Sequence, residues 1–164
     1  ATFVTIYGKN LEERRRVKGF GDDGVVYVYS GRIVETTPWE KCPVLLELRK
    51  VVSQISREKY PDLPEPNFCL LNWYRDGKDK ISAHSDRETD LDSRFPIISL
   101  SLGSARRFLF HDGKTGKKIT EIDLRDGALC VMGENCQKNY KHSVPEMPNV
   151  SSARWSLTFR FVKK

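Results

Sequence analysis

His84 and Asp86 stand two residues apart in ISAHSDRETD (81–90), and His84 is one of only three histidines in the chain. In an extended strand the side chains of residues i and i+2 share a face, so this imidazole and this carboxylate converge on one point. A metal ion, an acid–base pair or plain surface all fit such a pair when it stands alone. The other histidines narrow the choice. His111 follows FLF and precedes the turn DGKTGKK, which predicts an exposed side chain. His142, in NYKHSVP, comes shortly after the apolar stretch GALCVMG. In a jelly roll, early and late strands face each other across the barrel mouth, so His142 can return beside His84 and Asp86.

Two histidines and one carboxylate form a facial triad, which suits Fe(II) that must keep positions open for a bidentate co-substrate and dioxygen. The stretch ARWSLTFRF adds to this. Alternation puts Arg154, Ser156, Thr158 and Arg160 on one face and Trp155, Leu157 and Phe159 on the other. Two inward arginines are costly unless they meet anions. A dicarboxylate such as 2-oxoglutarate would satisfy them through charge-assisted, bidentate hydrogen bonds.

The elements that must carry these residues are mostly short strands. VTIYGK (4–9) reads as a strand ending in a glycine turn, residues 10–23 as a polar, basic loop or hairpin, and GVVYVYSG (24–31) as a strand. One helix is predicted in TPWEKCPVLLELRKVVSQISREKY, with Val44, Leu45, Leu48, Val51, Val52 and Ile55 at helical spacing and Pro43 in its first turn. After the Pro-rich PDLPEP come NFCLLNWY, FPIISLSL, RRFLFHD, KKITEIDL, GALCVMG, KHSVP and RWSLTFRFV, punctuated by Gly, Asp and Pro. The expected fold is mainly β with supporting α, an α+β chain built on a double-stranded β-helix, or jelly roll, of about eight strands. One domain over 1–164 is expected: 1–36 a lid with its strands, 37–60 the supporting helix, and 67–164 the core.

The 164 residues suffice for a real core, and 38% hydrophobic with 30% charged residues is ordinary globular composition. No apolar run approaches a membrane span, so no membrane partner is expected. Ala1 rather than methionine opens the sequence, which fits a missing N-terminal tail. The net charge of +6 suits a polyanion partner, with clusters at Arg14, Arg15, Arg16 and Lys18 and at Lys114, Lys117 and Lys118. Cys42, Cys69, Cys130 and Cys136 form no CxxC pair. Cys69 and Cys130 lie in apolar runs as buried small residues, so a reducing compartment is expected.

NWYRDGKDKISAHSDRE, FPIISLSLGSARRFLF, DGALCVMG, YKHSVP and RWSLTFR stand in an order and spacing that resembles the AlkB family of Fe(II)/2-oxoglutarate dioxygenases, over about residues 69–162. IYGK and GFGDDGVVYVYSG resemble the nucleotide-recognition lid of the animal and plant members that repair duplex DNA. The resemblance implies that His84, Asp86 and His142 bind iron. It implies that Asn72 and Tyr74 hydrogen-bond 2-oxoglutarate, that Arg154 pairs with its distal carboxylate, and that Arg160 supports the keto-acid end with Thr158 nearby. Ser156 stands where the family has asparagine, which leaves one co-substrate hydrogen bond weakened or water-mediated. In the lid, Tyr29 would stack on a flipped base, Tyr27 would hydrogen-bond the nucleotide, and Tyr7 would fill the gap left in a duplex. Arg14, Arg15, Arg16 and Lys18 would hold phosphates, and Glu88 would lie near the damaged base. Arg87 departs from an acidic residue common in the duplex-DNA branch.

The implied reaction is oxidative demethylation of 1-methyladenine and 3-methylcytosine in DNA, with Fe(II), 2-oxoglutarate and O2, releasing formaldehyde, succinate and CO2. DNA, duplex or single-stranded, is the expected partner ahead of RNA, the protein a monomer, and the location nuclear, or cytoplasmic in a bacterium or virus. The alternatives are an RNA demethylase of the same family, a 2-oxoglutarate oxygenase acting on protein, and a nucleic-acid-binding module with a dead iron site.

Overall fold

The computed structural model describes residues 2–6, 9–13, 15–29, 32–86 and 89–163, with only the backbone path for residues 2–13, 29 and 32. The chain begins with a hairpin of β1 (Thr2–Ile6) and β2 (Lys9–Glu13), paired from Thr2↔Glu13 to Ile6↔Lys9. β3 (Arg16–Gly21) follows, then β4 (Tyr27–Tyr29) and β5 (Arg32–Val34), which pair only with each other, and β6 (Thr36–Pro38). A 3-10 turn at Trp39–Lys41 leads into helix α1 (Pro43–Arg57). The rest of the chain holds β7 (Phe68–Tyr74), β8 (Ile81–His84), β9 (Ile97–Gly103), β10 (Arg106–Asp112), β11 (Lys118–Leu124) and β12 (Leu129–Met132). The short helix α2 (Cys136–Asn139), β13 (Tyr140–Val144) and β14 (Arg154–Arg160) complete it.

Two sheets face each other. The major sheet runs β12-β9-β14-β7-β3-β6 and the minor sheet β11-β10-β13-β8. All neighbours are antiparallel except β3 and β6. This is the two-sheet arrangement expected of a jelly roll.

Alternation divides each strand of the major sheet between two environments. On its outer face Phe20, Cys69, Ile98, Leu100, Leu157 and Phe159 form one core with Leu45 and Val52 of α1 and with Trp39. Between the sheets Tyr74, Ile97, Phe108, Leu124, Met132 and Val144 form a second. Each large side chain that is fully buried here stabilises the fold by about 1.5–3 kcal/mol.

Three sequence expectations change. Residues 10–23, expected as loop or hairpin, hold the second strand of the β1–β2 hairpin and then β3, a further strand that lies in the major sheet against β7. The basic side chains that masked this strand point outward, while Gly19 and Gly21 back onto Phe68. In the predicted strand at 24–31 the described residues take strand form only at Tyr27–Tyr29, after turn and coil at residues 24–26. On α1 the apolar stripe is wider than the contact. Leu45, Val52, Ser53 and Ser56 are buried, whereas Val44, Val51 and Ile55 face outward on one flank. Among the described residues no helix is long and apolar enough to cross a membrane.

Candidate metal centre

β8 and β13 are neighbours, and their register sets His142 opposite His84. The two imidazoles lie 4.3 Å apart between centroids, and Asp86 follows just beyond the end of β8. Nitrogen and oxygen atoms of His84, Asp86 and His142 all fall within 4.8 Å of one another, the reach of a shared cation. Among the described residues no other group of His, Cys, Asp and Glu converges this way.

The loop before β8 is fixed by its own chemistry. Arg75 grips the buried Asp79 with Nε and Nη2, each at 3.0 Å, and donates its backbone N–H to the same carboxylate. The Arg106 side chain, 1% exposed, donates to the carbonyls of Asp76, Asp79 and Pro145 at 2.7–3.0 Å. Gly77 passes so close to the backbone of Met147 that a Cβ there would sit 1.8 Å from its carbonyl oxygen. This loop therefore docks on residues 145–150, and β8 leaves it in a set direction.

Each ligand is oriented. The His84 ring meets the Ser82 carbonyl at 2.8 Å through Nδ1. A carbonyl only accepts, so Nδ1 carries the proton and Nε2 keeps its lone pair for a metal. His142 is 5% exposed and stacks on Phe108 at 5.2 Å. Burial, against the pull of Asp86, pushes its pKa down to about 4, so the ring is neutral and able to ligate. Asp86 donates its backbone N–H to Gln137 Oε1 at 2.9 Å, and its Oδ2 accepts Arg160 Nη2 at 2.8 Å. Burial alone would raise the Asp86 carboxyl. Arg160 and the two imidazoles outweigh it and hold the group well below the usual carboxylate range. Its other oxygen, Oδ1, is buried, 3.5 Å from His84 Nε2, and without a hydrogen bond. An orphaned carboxylate oxygen between two imidazoles fits a divalent cation.

From this cluster a narrow cavity of about 40 Å³ runs between the sheets, lined by Asn72, Tyr74, Ser99, Arg154, Ser156 and Thr158. The residues of β14 assigned to one face by alternation do line it together. Arg154 is 1% exposed and donates Nη2 to Ser101 Oγ at 2.7 Å, with its guanidinium 5.3 Å from the Tyr74 ring. Its Nε and Nη1 are buried without partners. A guanidinium with no carboxylate beside it fits an anionic ligand at that end. Ser156 lies 3.4 Å from Ser99 Oγ, and Thr158 is buried beside them. A wider cleft of about 510 Å³ reaches Asp86 and Met132 from outside, between residues 89–97 and 132–138.

The lid residues fare differently. Tyr7, Arg14, Arg87 and Glu88 lie outside the described residues, as does the side chain of Tyr29. Tyr27 is fully buried, packs on Phe68 at 4.6 Å between ring centroids, and takes a hydrogen bond from Arg160 Nη1. The basic cluster splits. Arg15 is 7% exposed and donates Nε to Asn72 Oδ1 at 3.1 Å, facing the cavity. Arg16 and Lys18 are exposed on the opposite face of the sheet. The cause is the strand β3, whose alternation sends neighbours to opposite sides. His111 is half-buried rather than exposed, bonded to Ser143 Oγ at 2.8 Å, and does not join the cluster. Cys130 is half-buried, while Cys69 is fully buried as expected.

Sequence reading missed Gln137, Ser101, Arg106 and the inward turn of Arg15. Only Arg106 carried a signal, as an arginine beginning the apolar strand RRFLF.

Residues 4–160 match the 2OG-Fe(II) oxygenase superfamily. DNA oxidative demethylase ALKBH2 of Bos taurus is 34% identical over 96% of this chain and 56% of its own length. The Homo sapiens protein of the same name is also 34% identical, over 96% of this chain and 60% of its own. The chain thus spans a little over half the length of these relatives. A solved structure of OsALKBH1 superposes with a TM-score of 0.59 at 23% identity, covering 90% of this chain and 78% of that one, a likeness of fold. With a matching family over nearly all its length and a His-Asp-His cluster between two jelly-roll sheets, the chain belongs to the 2OG-Fe(II) oxygenase superfamily.

Proposed function

We propose that the protein removes N-linked methyl groups from nucleobases in DNA, 1-methyladenine and 3-methylcytosine foremost, by oxidation coupled to 2-oxoglutarate. One observation carries this reading: the cation-ready His84–Asp86–His142 cluster and Arg154, which has no carboxylate partner among the described residues, line one cavity between the sheets. The relatives named DNA oxidative demethylase and the charge of +6 favour DNA as substrate. Methylation on the pairing edge weakens pairing and so lowers the cost of extruding the base.

Bound iron, with 2-oxoglutarate and O2 as co-substrates, would supply the oxidation that puts one oxygen atom on the methyl group and the other on succinate, with loss of CO2, and the hydroxymethyl carbon would then leave as formaldehyde. The chain's residues do the rest. His84, Asp86 and His142 present three ligand atoms on one side, with Arg160 neutralising part of the carboxylate and Gln137 holding its backbone. Arg154 is placed to take the far carboxylate of the 2-oxo acid, with Tyr74 and Asn72 beside it. The present gap is smaller than a five-carbon dicarboxylate, so the long Arg154 stem shifts to admit one. The apolar walls of Leu70, Ile81, Phe108, Met132 and Val144 exclude water and limit side oxidation.

The test is release of formaldehyde and succinate in equal amounts from methylated oligonucleotides, compared across single- and double-stranded DNA and RNA. Succinate without formaldehyde on every nucleic acid, in a protein that binds none of them, would return the reading to an oxygenase acting on protein.

A further inference from the structure

The outer face of the major sheet is not uniformly covered. Helix α1 packs over Phe20, Cys69, Ile98, Leu100, Leu157 and Phe159. Beyond it, the other end of the face carries a row across four adjacent strands. Leu102 of β9 pairs with Trp155 of β14, Trp155 with Trp73 of β7, and Trp73 with Arg16 of β3. At strand spacing the row is about 14 Å long. The two indoles are stacked, with centroids 5.4 Å apart and planes within 14°. The Arg16 guanidinium lies 5.5 Å from the Trp73 ring, and Lys18, one step along β3, stands 5.4 Å from Phe20. Trp155 is 39% exposed, and Arg16 and Lys18 are exposed.

Large aromatics on a sheet face bury best under another element, and no described element lies over these two. Charge distinguishes the kind of occupant. Among the described residues neither Arg16 nor Lys18 forms an ion pair with a carboxylate. Asp126, at the Leu102 end, is engaged by the Gly103 backbone N–H at 2.7 Å. The row is thus aromatic in the middle and cationic at the β3 end. Flat aromatic faces beside cations are what a chain of unpaired nucleotides seeks, with bases on the rings and phosphates on the cations.

We propose that Trp155 and Trp73, with Arg16 and Lys18, form a stacking platform for single-stranded nucleic acid, separate from the metal centre. The proposal rests on the reading of DNA as the substrate. The platform lies through the sheet from the cavity. From Trp155 to Arg160, beside Asp86, is five strand steps, about 17 Å. A bound strand must therefore continue around the Arg16–Lys18 end of β3, which β6 does not reach, to present a base at the centre, so only a long substrate touches both places. β3 leads out of the β1–β2 hairpin, which puts the platform's cations next to the lid.

The protein's own fluorescence reads this directly. The chain has three tryptophans, and Trp39 is 3% exposed and hydrogen-bonded to Asp22. Titration with unmethylated oligothymidylate of about 20 nucleotides should quench the emission of Trp73 and Trp155, and added salt should weaken it. Trp155→Thr should raise the Kd for that oligonucleotide about ten-fold, with Trp155→Phe recovering most of the loss. The KM for a methylated strand of the same length should rise in parallel, while that for a methylated trinucleotide stays put. Thermal melts of each variant check that the fold is kept. An unchanged Kd in Trp155→Thr overturns the proposal. So does equal loss on the long and short substrates, which would mean the pair only supports the fold. Wild-type dimers dissolved by Trp155→Thr with Kd unchanged would overturn it too, in favour of a second copy on this face. A normal Kd response without demethylation of any strand would keep the platform and sink the proposed activity instead.

Discussion

Replacing Arg154 by methionine should make the ligand-free protein no less stable while abolishing its response to 2-oxoglutarate. Arg154 is 1% exposed, donates Nη2 to Ser101 Oγ, and has Nε and Nη1 buried without a hydrogen-bond partner. Burial pushes its pKa down, yet a guanidinium remains charged at any working pH. The empty protein thus carries a desolvated charge without a counter-ion, and removing such a charge for an apolar side chain of similar length is neutral or stabilising. Binding reverses the balance. A ligand at one hundred times its Kd stabilises by about 2.7 kcal/mol. For a domain of this size that raises Tm by about 5–11 °C. Arg154→Lys keeps the charge but loses the two-pronged geometry, at a cost of about 2 kcal/mol or a thirty-fold weaker Kd. At the same ligand concentration its Tm rise should shrink to about 2–3 °C. Thermal shift with a redox-inert divalent metal, with and without 2-oxoglutarate, separates the three proteins without any turnover. A full ligand-dependent rise in Arg154→Met would place the dicarboxylate elsewhere and refute the reasoning.

Asp86→Asn keeps the shape but removes the charged ligand and the carboxylate that accepts from Arg160 Nη2, so Tm should fall, reflecting the loss of about 1.5–3 kcal/mol for a charge-assisted hydrogen bond, and metal titration should show no binding. Gln137→Ala removes the acceptor of the Asp86 backbone N–H; metal affinity should drop about ten-fold by calorimetry, with the oligothymidylate Kd unchanged. The metal-free protein should lose stability in acid. His142 titrates at about 4 when folded and near its ordinary 6.5 when unfolded, so between those values the unfolded chain holds the extra proton. Stability present above pH 6.5 should fall by about 3 kcal/mol on the way to pH 4, and urea midpoints across that range would show it. Asp86, held below its ordinary value, should add to the loss only below about pH 4.

The metal cluster was legible in the sequence because its signal is local at one end and topological at the other. The His84–Asp86 spacing is a property of a strand and its exit. The return of His142 follows from any jelly-roll path. The inward face of β14 was equally plain, since strict alternation of Arg154, Ser156, Thr158 and Arg160 with Trp155, Leu157 and Phe159 survives in the fold. β3 was hidden because its two glycines and its cations imitate a loop, and with it went the true position of Arg15. Tyr27 could not be told from a surface tyrosine, since a phenol that meets a buried arginine has the same sequence as one that meets solvent. Gln137 was unreadable because its role depends on a four-residue helix bringing its amide under Asp86, a contact spanning 51 positions. Val44, Val51 and Ile55 show the limit of periodicity, which reports an apolar stripe and not how much of it a neighbour covers.

Asp86 and Arg160 are separated by 74 positions yet share one hydrogen bond. During synthesis at about 5–20 residues per second, the carboxylate exists for about 4–15 s before its guanidinium has been made. In that interval β13 and β14 are incomplete, and neither His142 nor the inner cavity is in place. A growing chain therefore offers at most a bare His-x-Asp, a weak ligand with no pocket beside it. Loading of the metal is deferred until both sheets close, so a ribosome-bound fragment holds no redox-active ion next to exposed backbone. The long-range ion pair ties the carboxylate ligand to a strand made 74 residues later, so the reactive centre assembles only once β14 is in place.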